Sequence, residues 1–228
     1  GELKAIVHGT VITAMRTAGG HAVAAARYLT SRPLKTLAVI GNGLEARMGI
    51  RGFLCEFPEI ERIKVYCRRR EGFEKLRACF TSDVPLVFEE DRRRIGRGAD
   101  VILAATSSPE ILLESDCVEK GTTVIALDGF IDVDPALSEK ADKWLVGNLK
   151  TDREEIIESG QMSHGTVLDS GKIYGEITDA ASGKIPGRES DDEIIIYTHM
   201  GSGLYDTACA YEAYKSAVNA GDGVVLKL

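Results

Sequence analysis

The run Leu37 to Ile40 is short and apolar. It breaks into Gly41-Asn42-Gly43, and an amphipathic helical pattern begins at Leu44. Strand, glycine turn and helix without a spacer open a βα unit of a parallel sheet, here in the form G-x-G-x-x-A: Gly41, Gly43 and Ala46. The first glycine permits the tight turn, the second leaves the backbone open to a pyrophosphate, and the small residue lets helix and strand pack closely. The free amides and dipole of the helix start would face the phosphates. Asn42, Leu44 and Glu45 complete the turn and join the candidate dinucleotide site. The competing reading is an ordinary glycine-tightened βα turn with no ligand.

The same rhythm continues downstream. Arg62 to Arg68 alternates as a strand, Glu71 to Phe80 has helical spacing, Leu86 to Glu90 is a short strand, and Asp91 to Gly98 a short basic helix. Asp100 to Ser108, Thr122 to Asp128 and Asp142 to Asn148 are nearly continuous apolar runs, as expected of strands buried on both faces. Strands alternating with helices predict an α/β fold, a Rossmann-type doubly wound parallel sheet over residues 33–150. Ligands of such sheets sit beyond the carboxyl ends of the strands, which places Ala105, Thr106, Ser107 and Asp128 at the site. The flanks, 1–32 and 151–228, read as parts of one discontinuous domain. Leu3 to Gly9 is expected as a strand, Thr13 to Leu29 as a helix with Thr13 as N-cap, and 152–183 as helical patches with glycines. Glu193 to His199 is expected as a strand, Leu204 to Asn219 as a helix, and Val-Val-Leu-Lys-Leu closes the chain.

Composition narrows the function. A net charge of −7 argues against bulk attraction to nucleic acid or anionic membrane. No apolar run approaches a membrane span and no signal segment opens the chain. The five cysteines are odd in number and never close in sequence, so neither a zinc knuckle nor a disulfide framework is expected. A reducing cytoplasm fits best. The four histidines are scattered, with His21 and His164 weak candidates for a site, and no metal is expected.

The second strand should end on the residue that meets the adenosine ribose, about 20 residues past the glycines. That end reads Tyr66-Cys67-Arg68-Arg69-Arg70. The Asp or Glu that would take a 2′-hydroxyl is missing there, and an arginine pairs with a 2′-phosphate through two parallel bonds. Arg68 and Arg69 therefore favour NADP. Glu71 keeps NAD open, and a solvated basic turn is the plain alternative.

Four segments carry a resemblance to the ornithine cyclodeaminase/μ-crystallin family. Thr10 to Leu29 resembles its L-T-x-x-R-T-A-A helix. Gly41 to Arg47 resembles its G-x-G-x-Q-A-R, with Glu45 in place of Gln. Asp100 to Ser108 resembles its A-D-I-V-x-x-A-T-x-S strand, and Ile185 to Tyr214 its closing region. The resemblance implies a Rossmann domain plus part of a discontinuous substrate and dimerisation domain, a homodimer, and NAD(P) chemistry at C–N bonds of amino acids, imines and opine-like conjugates. By motif position Arg16 holds the substrate carboxylate, Thr17 touches the cofactor diphosphate, and Asp206 orients groups near the nicotinamide. For Asp206 a cap or a buried hydrogen bond is an equal alternative, and for Arg16 a surface ion pair.

Three departures from the family pattern bear on the reaction. The catalytic aspartate of the cyclodeaminase branch falls on Phe130, with Asp128 and Asp132 each two residues away. Gly19-Gly20 stand at the end of the arginine motif, where the family runs in alanine, which weakens the helix beside the site. The chain opens on Gly1 and lacks what resembles the family's first quarter to third, where a substrate-binding arginine and an active-site lysine are expected. The reading is an NAD(P)-dependent oxidoreductase, either a ketimine reductase or an amino-acid or opine-type dehydrogenase. Its partner would be a small amino or imino acid. An ornithine cyclodeaminase and a non-enzymatic NADP-dependent ligand-binding protein are the alternatives.

Overall fold

The structure, a computed structural model, describes residues 2–225. Among them the strands are β1 (Thr36–Ile40), β2 (Arg62–Tyr66), β3 (Leu86–Phe88), β4 (Val101–Ala104), β5 (Thr123–Ala126), β6 (Lys143–Val146), β7 (Ile173–Glu176) and β8 (Ile195–Thr198). The helices are α1 (Gly9–Ala14), α2 (Ala22–Leu29), α3 (Leu44–Glu56), α4 (Arg70–Arg77), α5 (Leu137–Lys140), α6 (Leu149–Asp152), α7 (Ile177–Ala181) and α8 (Gly203–Ala220). A π-helical stretch, Met15–His21, joins α1 to α2 without a break.

All eight strands join one parallel sheet in the order β3-β2-β1-β4-β5-β8-β6-β7. The first five positions follow the doubly wound order, and β8, not β6, takes the sixth. Because β1 pairs with both β2 and β4, the chain reverses direction of winding at the carboxyl end of β1. A crevice opens there. Alternate residues of β1 serve opposite faces: Leu37 and Val39 pack in one buried cluster with α2 and α3, Ala38 and Ile40 in the other with Ile102, Val124 and Ile196. Burial on both faces explains why the strands read as continuous apolar runs rather than alternating ones.

The sequence expectation holds for β1 to β6, for β8 and for α8. It fails in four places. Leu3 to Gly9 forms no strand: residues 2–8 pair with none of the described strands, and Leu3, Ile6 and Val7 are exposed. Thr13 is not an N-cap, since the helix starts a turn earlier behind His8. The basic segment 91–98 makes only a 3-10 turn, Arg92–Arg94, capped by Asp91. Beyond residue 150, β7 and β8 carry on the same sheet, so the sheet does not end at the boundary expected for the dinucleotide domain. β7 escaped notice because it is a four-residue edge strand with a glycine and a register shift against β6. Val224 and Val225 are exposed, and the remainder of the closing segment, 226–228, lies outside the described residues.

Candidate functional site

The π-helical stretch and α3 pack with their backbones in near contact. A Cβ on Gly52 would lie 2.3 Å from the carbonyl oxygen of Gly19, and one on Gly49 would lie 3.4 Å from the Ala18 Cβ. Small residues on both partners remove the side-chain layer that normally separates two helices. The wide π turn and the close approach together bring Arg16 and Thr17 beside the N-terminus of α3. Single π turns within helices often mark functional sites.

A cleft of about 490 Å³ opens at this point. Its lining includes Arg16, Thr17, Gly41, Asn42, Gly43, Leu44, Glu45, Ala105, Thr106, Ser107 and Asp128, all expected from the sequence, and Thr13, Leu127, His199, Met200 and Gly201, which were not. The last three follow β8, whose insertion beside β5 brings its carboxyl end to the cleft. Sequence order alone would have placed that strand at the sheet edge.

The glycine turn has the shape a diphosphate requires. Gly41 sits at φ +120°, and a Cβ there would meet the Ala105 carbonyl oxygen at 2.5 Å. Its amide donates to the Tyr66 carbonyl, tying the turn to β2. Gly43 precedes α3 with no side-chain cap, and a Cβ on it would meet nothing within 4 Å. The first amides of α3 therefore face open space, and the buried Thr17 hydroxyl at the cleft has no partner among the described residues. Uncapped amides and an orphaned hydroxyl are what a bound phosphate would satisfy, so the residues present fit a dinucleotide. Ala46 lies fully buried beneath the turn, as its packing role demands.

Arg16 is largely buried. Its Nε donates to Asp206 Oδ1 at 2.8 Å, and Nη1 lies 3.5 Å from His199 Nε2. Asp206 does not line the cleft. α8 presents it to the Nε edge of the Arg16 guanidinium, while Arg16 itself lines the cleft. His199 stacks on His21 at 4.2 Å between ring centroids, and the Tyr197 hydroxyl bonds to His21 Nε2. Burial and the neighbouring Arg16 charge push His21 down to about 4, and burial with the His21 and Arg16 charges pushes His199 down to about 3. Both rings are neutral at physiological pH, so they add no positive charge beside Arg16. His164 lies apart from the cleft and bonds the Ile131 carbonyl. Among the described residues no group of His, Cys, Asp or Glu could hold a metal.

The carboxylates after β5 divide in role. Phe130 is buried edge-on against Trp144 and supplies no acid or base. Asp128 faces the cleft, and its carboxyl is raised by burial. Asp132 turns inward and accepts from the Thr106 hydroxyl at 2.8 Å and from its amide at 3.3 Å, fixing the loop after β4. Its Oδ1 has no partner among the described residues, and burial pushes the carboxyl up to about 6. A raised carboxyl means the folded state holds a proton that the unfolded chain has released, so stability falls as pH rises from about 4 to about 6. Asp132→Asn can keep the oxygen that Thr106 needs and carries no charge. Urea denaturation should show the variant gaining on the parent across that window, by about 1–3 kcal/mol at neutral pH. Equal pH profiles would contradict this account.

Arg68 and Arg69 stand outside the cleft, exposed at the end of β2. Neither makes an ion pair among the described residues, whereas Arg70 pairs with Glu90 and lies over Phe88. Asn42 packs its amide against Gly72 of α4, so the turn and the basic segment adjoin.

A doubly wound sheet with a phosphate-shaped turn at its switch point and a largely buried arginine beside it defines an α/β protein of the dinucleotide-binding class. The chain belongs to the ornithine cyclodeaminase/mu-crystallin family, which matches it across residues 1–221. It is 28% identical to N-((2S)-2-amino-2-carboxyethyl)-L-glutamate dehydrogenase of Staphylococcus aureus over 227 residues, 98% of this chain and 67% of that protein. The solved Delta(1)-pyrroline-2-carboxylate reductase of Thermococcus litoralis, in complex with NADH and L-proline, superposes with TM-score 0.84 at 27% identity, covering 96% of this chain and 68% of that one. An archaeal alanine dehydrogenase dimer with bound NAD gives TM-score 0.85 at 27% identity, with the same coverage. The chain thus spans about two thirds of the length of these relatives. No helix among the described residues is long and apolar enough to cross a membrane.

Proposed function

We propose that this chain belongs to an NAD(P)-dependent oxidoreductase acting on a C–N bond of a small amino or imino acid, as a ketimine reductase or an amino-acid or opine-type dehydrogenase. The observation that carries the reading is that Arg16 and the glycine turn face one cleft. The amides that open α3 and the Thr17 hydroxyl hold the diphosphate, with Ala105, Thr106 and Ser107 along the opposite wall. Arg16, aligned by Asp206, takes the substrate carboxylate through its free nitrogens. The nicotinamide, when bound, supplies or accepts the hydride. The chain's part is to fix the carboxylate, and hence the C–N carbon, at one wall of the crevice. Full-length relatives that act on pyrroline-2-carboxylate, alanine and an aminocarboxyethyl glutamate support this substrate class. The dimeric relative supports a homodimer, and the odd number and wide spacing of the five cysteines fit a reducing cytoplasm.

The cofactor proposed is NADP, with Arg68 and Arg69 on the 2′-phosphate and NAD as the alternative that the NAD-bound relatives keep open. Arg68→Ala in the full-length protein should weaken NADPH about tenfold or more and leave NADH within about twofold, read by fluorescence titration. Tighter binding of NADH that Arg68→Ala leaves unchanged would refute NADP. Asp128, the one carboxylate placed near the expected cyclodeaminase position and facing the cleft, sustains that reaction as a second reading. Ammonia release from ornithine without net change in NADH absorbance would mark it.

A further inference from the structure

Glu45 occupies the second position of α3, on the face that carries Gly49 and Gly52 against the π-helical stretch. Its carboxyl lines the cleft beside Thr17 and the glycine turn. Oε2 is buried and has no hydrogen-bond partner among the described residues. A carboxylate oxygen in that condition is costly, and a dianionic diphosphate entering the same cleft makes it costlier.

The groups around it do not supply a full counter-charge. Arg16, from the π-helical stretch, favours the charged carboxylate, as does the backbone amide of Ala18, but Arg16 is already gripped by Asp206. Asp128, from the end of β5, opposes the charge. His199, from the end of β8, is neutral. Arg47 lies two residues further along the same helix, and its Nε is itself buried without a partner among the described residues. Burial outweighs all of these and raises the group from its ordinary value even with the cleft open to solvent.

We propose that Glu45 binds the dinucleotide as a neutral carboxylic acid, taking up one proton as the diphosphate enters and presenting an O–H where the phosphate oxygens lie. This deepens the cofactor reading above and rests on it. The balance is simple: ionised Glu45, a proton from solvent and the dinucleotide give the complex with Glu45 protonated, and no covalent bond to the cofactor changes. The consequence is a cofactor affinity that falls as pH rises, by up to about tenfold per pH unit between the value of the free group and the higher value of the bound one, and is level above that.

The test is isothermal titration of the full-length protein with NADPH and with NADH. Each titration is repeated in two buffers of different ionisation enthalpy, from about pH 6 to about pH 8.5, spanning the range in which ordinary carboxyls are ionised. Proton uptake approaching one per site is expected in the parent. Glu45→Gln, which keeps an oxygen for the Ala18 amide, should bind with that uptake removed and with flatter pH dependence. An infrared difference spectrum of the parent should lose a carboxylate band and gain a carboxylic acid band on binding, and this needs no variant. Binding with no proton uptake, or uptake that survives in Glu45→Gln, overturns the proposal. Absence of binding heat for either dinucleotide at every pH, in protein that is folded, overturns the cofactor reading itself.

Discussion

Arg16→Ala in the full-length protein will lower kcat/KM for the imino or amino acid by roughly two to three orders of magnitude, about 3–4 kcal/mol, while cofactor affinity changes little. The size follows from burial. Arg16 is a largely buried cation that pairs with Asp206 through Nε and lines the cleft. Its bond to a substrate carboxylate is charge-assisted and forms away from bulk water, where such pairs are strongest. Truncation removes the carboxylate's partner and leaves Asp206 and His199 facing an empty space. Asp206 is partly exposed and rehydrates, so the fold should survive. Arg16→Lys keeps the charge but cannot reach Asp206 and the substrate with one planar group, so it should restore less than a tenth of the loss in kcat/KM. The measurement is steady-state kinetics at saturating NADPH, with cofactor affinity by fluorescence as the control. A variant that loses cofactor and substrate affinity equally would mean that Arg16 serves the diphosphate. An unchanged kcat/KM would mean that the guanidinium does not touch the substrate at all.

Much of this site was legible because it rests on local rules. A strand that breaks into Gly41-Asn42-Gly43 and restarts as a helix has one economical geometry, and the turn adopts it. Small polar residues after β4 and β5 mark strand ends, and the parallel sheet puts those ends together. What escaped depends on long-range order. The position of β8 between β5 and β6 cannot be read from the run Glu193 to His199, which would look the same at a sheet edge. Without it His199, Met200 and Gly201 have no reason to meet the cleft. Asp206 was assigned by its motif to the cofactor, yet its neighbour is decided by where α8 crosses the first helical segment, and that neighbour is Arg16. Leu3 to Gly9 carries apolar and β-branched residues that read as a strand, but composition does not supply a partner strand. Arg68 and Arg69 were read from their position at a strand end, and both are exposed there.

Gly52→Ala is expected to destabilise the fold and to disturb the cleft together. Alanine is normally the better helix former by about 1 kcal/mol, so on an exposed helix this substitution would stabilise. Here the added carbon would stand 2.3 Å from the Gly19 carbonyl oxygen, 3.0 Å from its carbonyl carbon and 2.9 Å from Val23 Cγ2. The valine methyl can rotate, but a backbone carbonyl cannot, so α3 and the π-helical stretch must separate. Overpacking against a fixed neighbour costs about 1–3 kcal/mol and more where backbone must move, which outweighs the propensity gain. For a chain of this size each kcal/mol lowers the melting temperature by roughly 2–4 °C, so calorimetry should register a fall of about 4–8 °C. Gly9→Ala, whose added carbon meets nothing within 4 Å at the start of α1, serves as the control and should not fall. The same separation carries Arg16 and Thr17 away from the glycine turn. A displacement of about 1 Å in a positioning group can cost around a hundredfold in rate, so kcat should drop more steeply than stability alone explains. If Gly52→Ala melts with the parent and turns over at its rate, the helices are farther apart in solution than here. The geometric link between the arginine and the phosphate turn would then have to be found elsewhere.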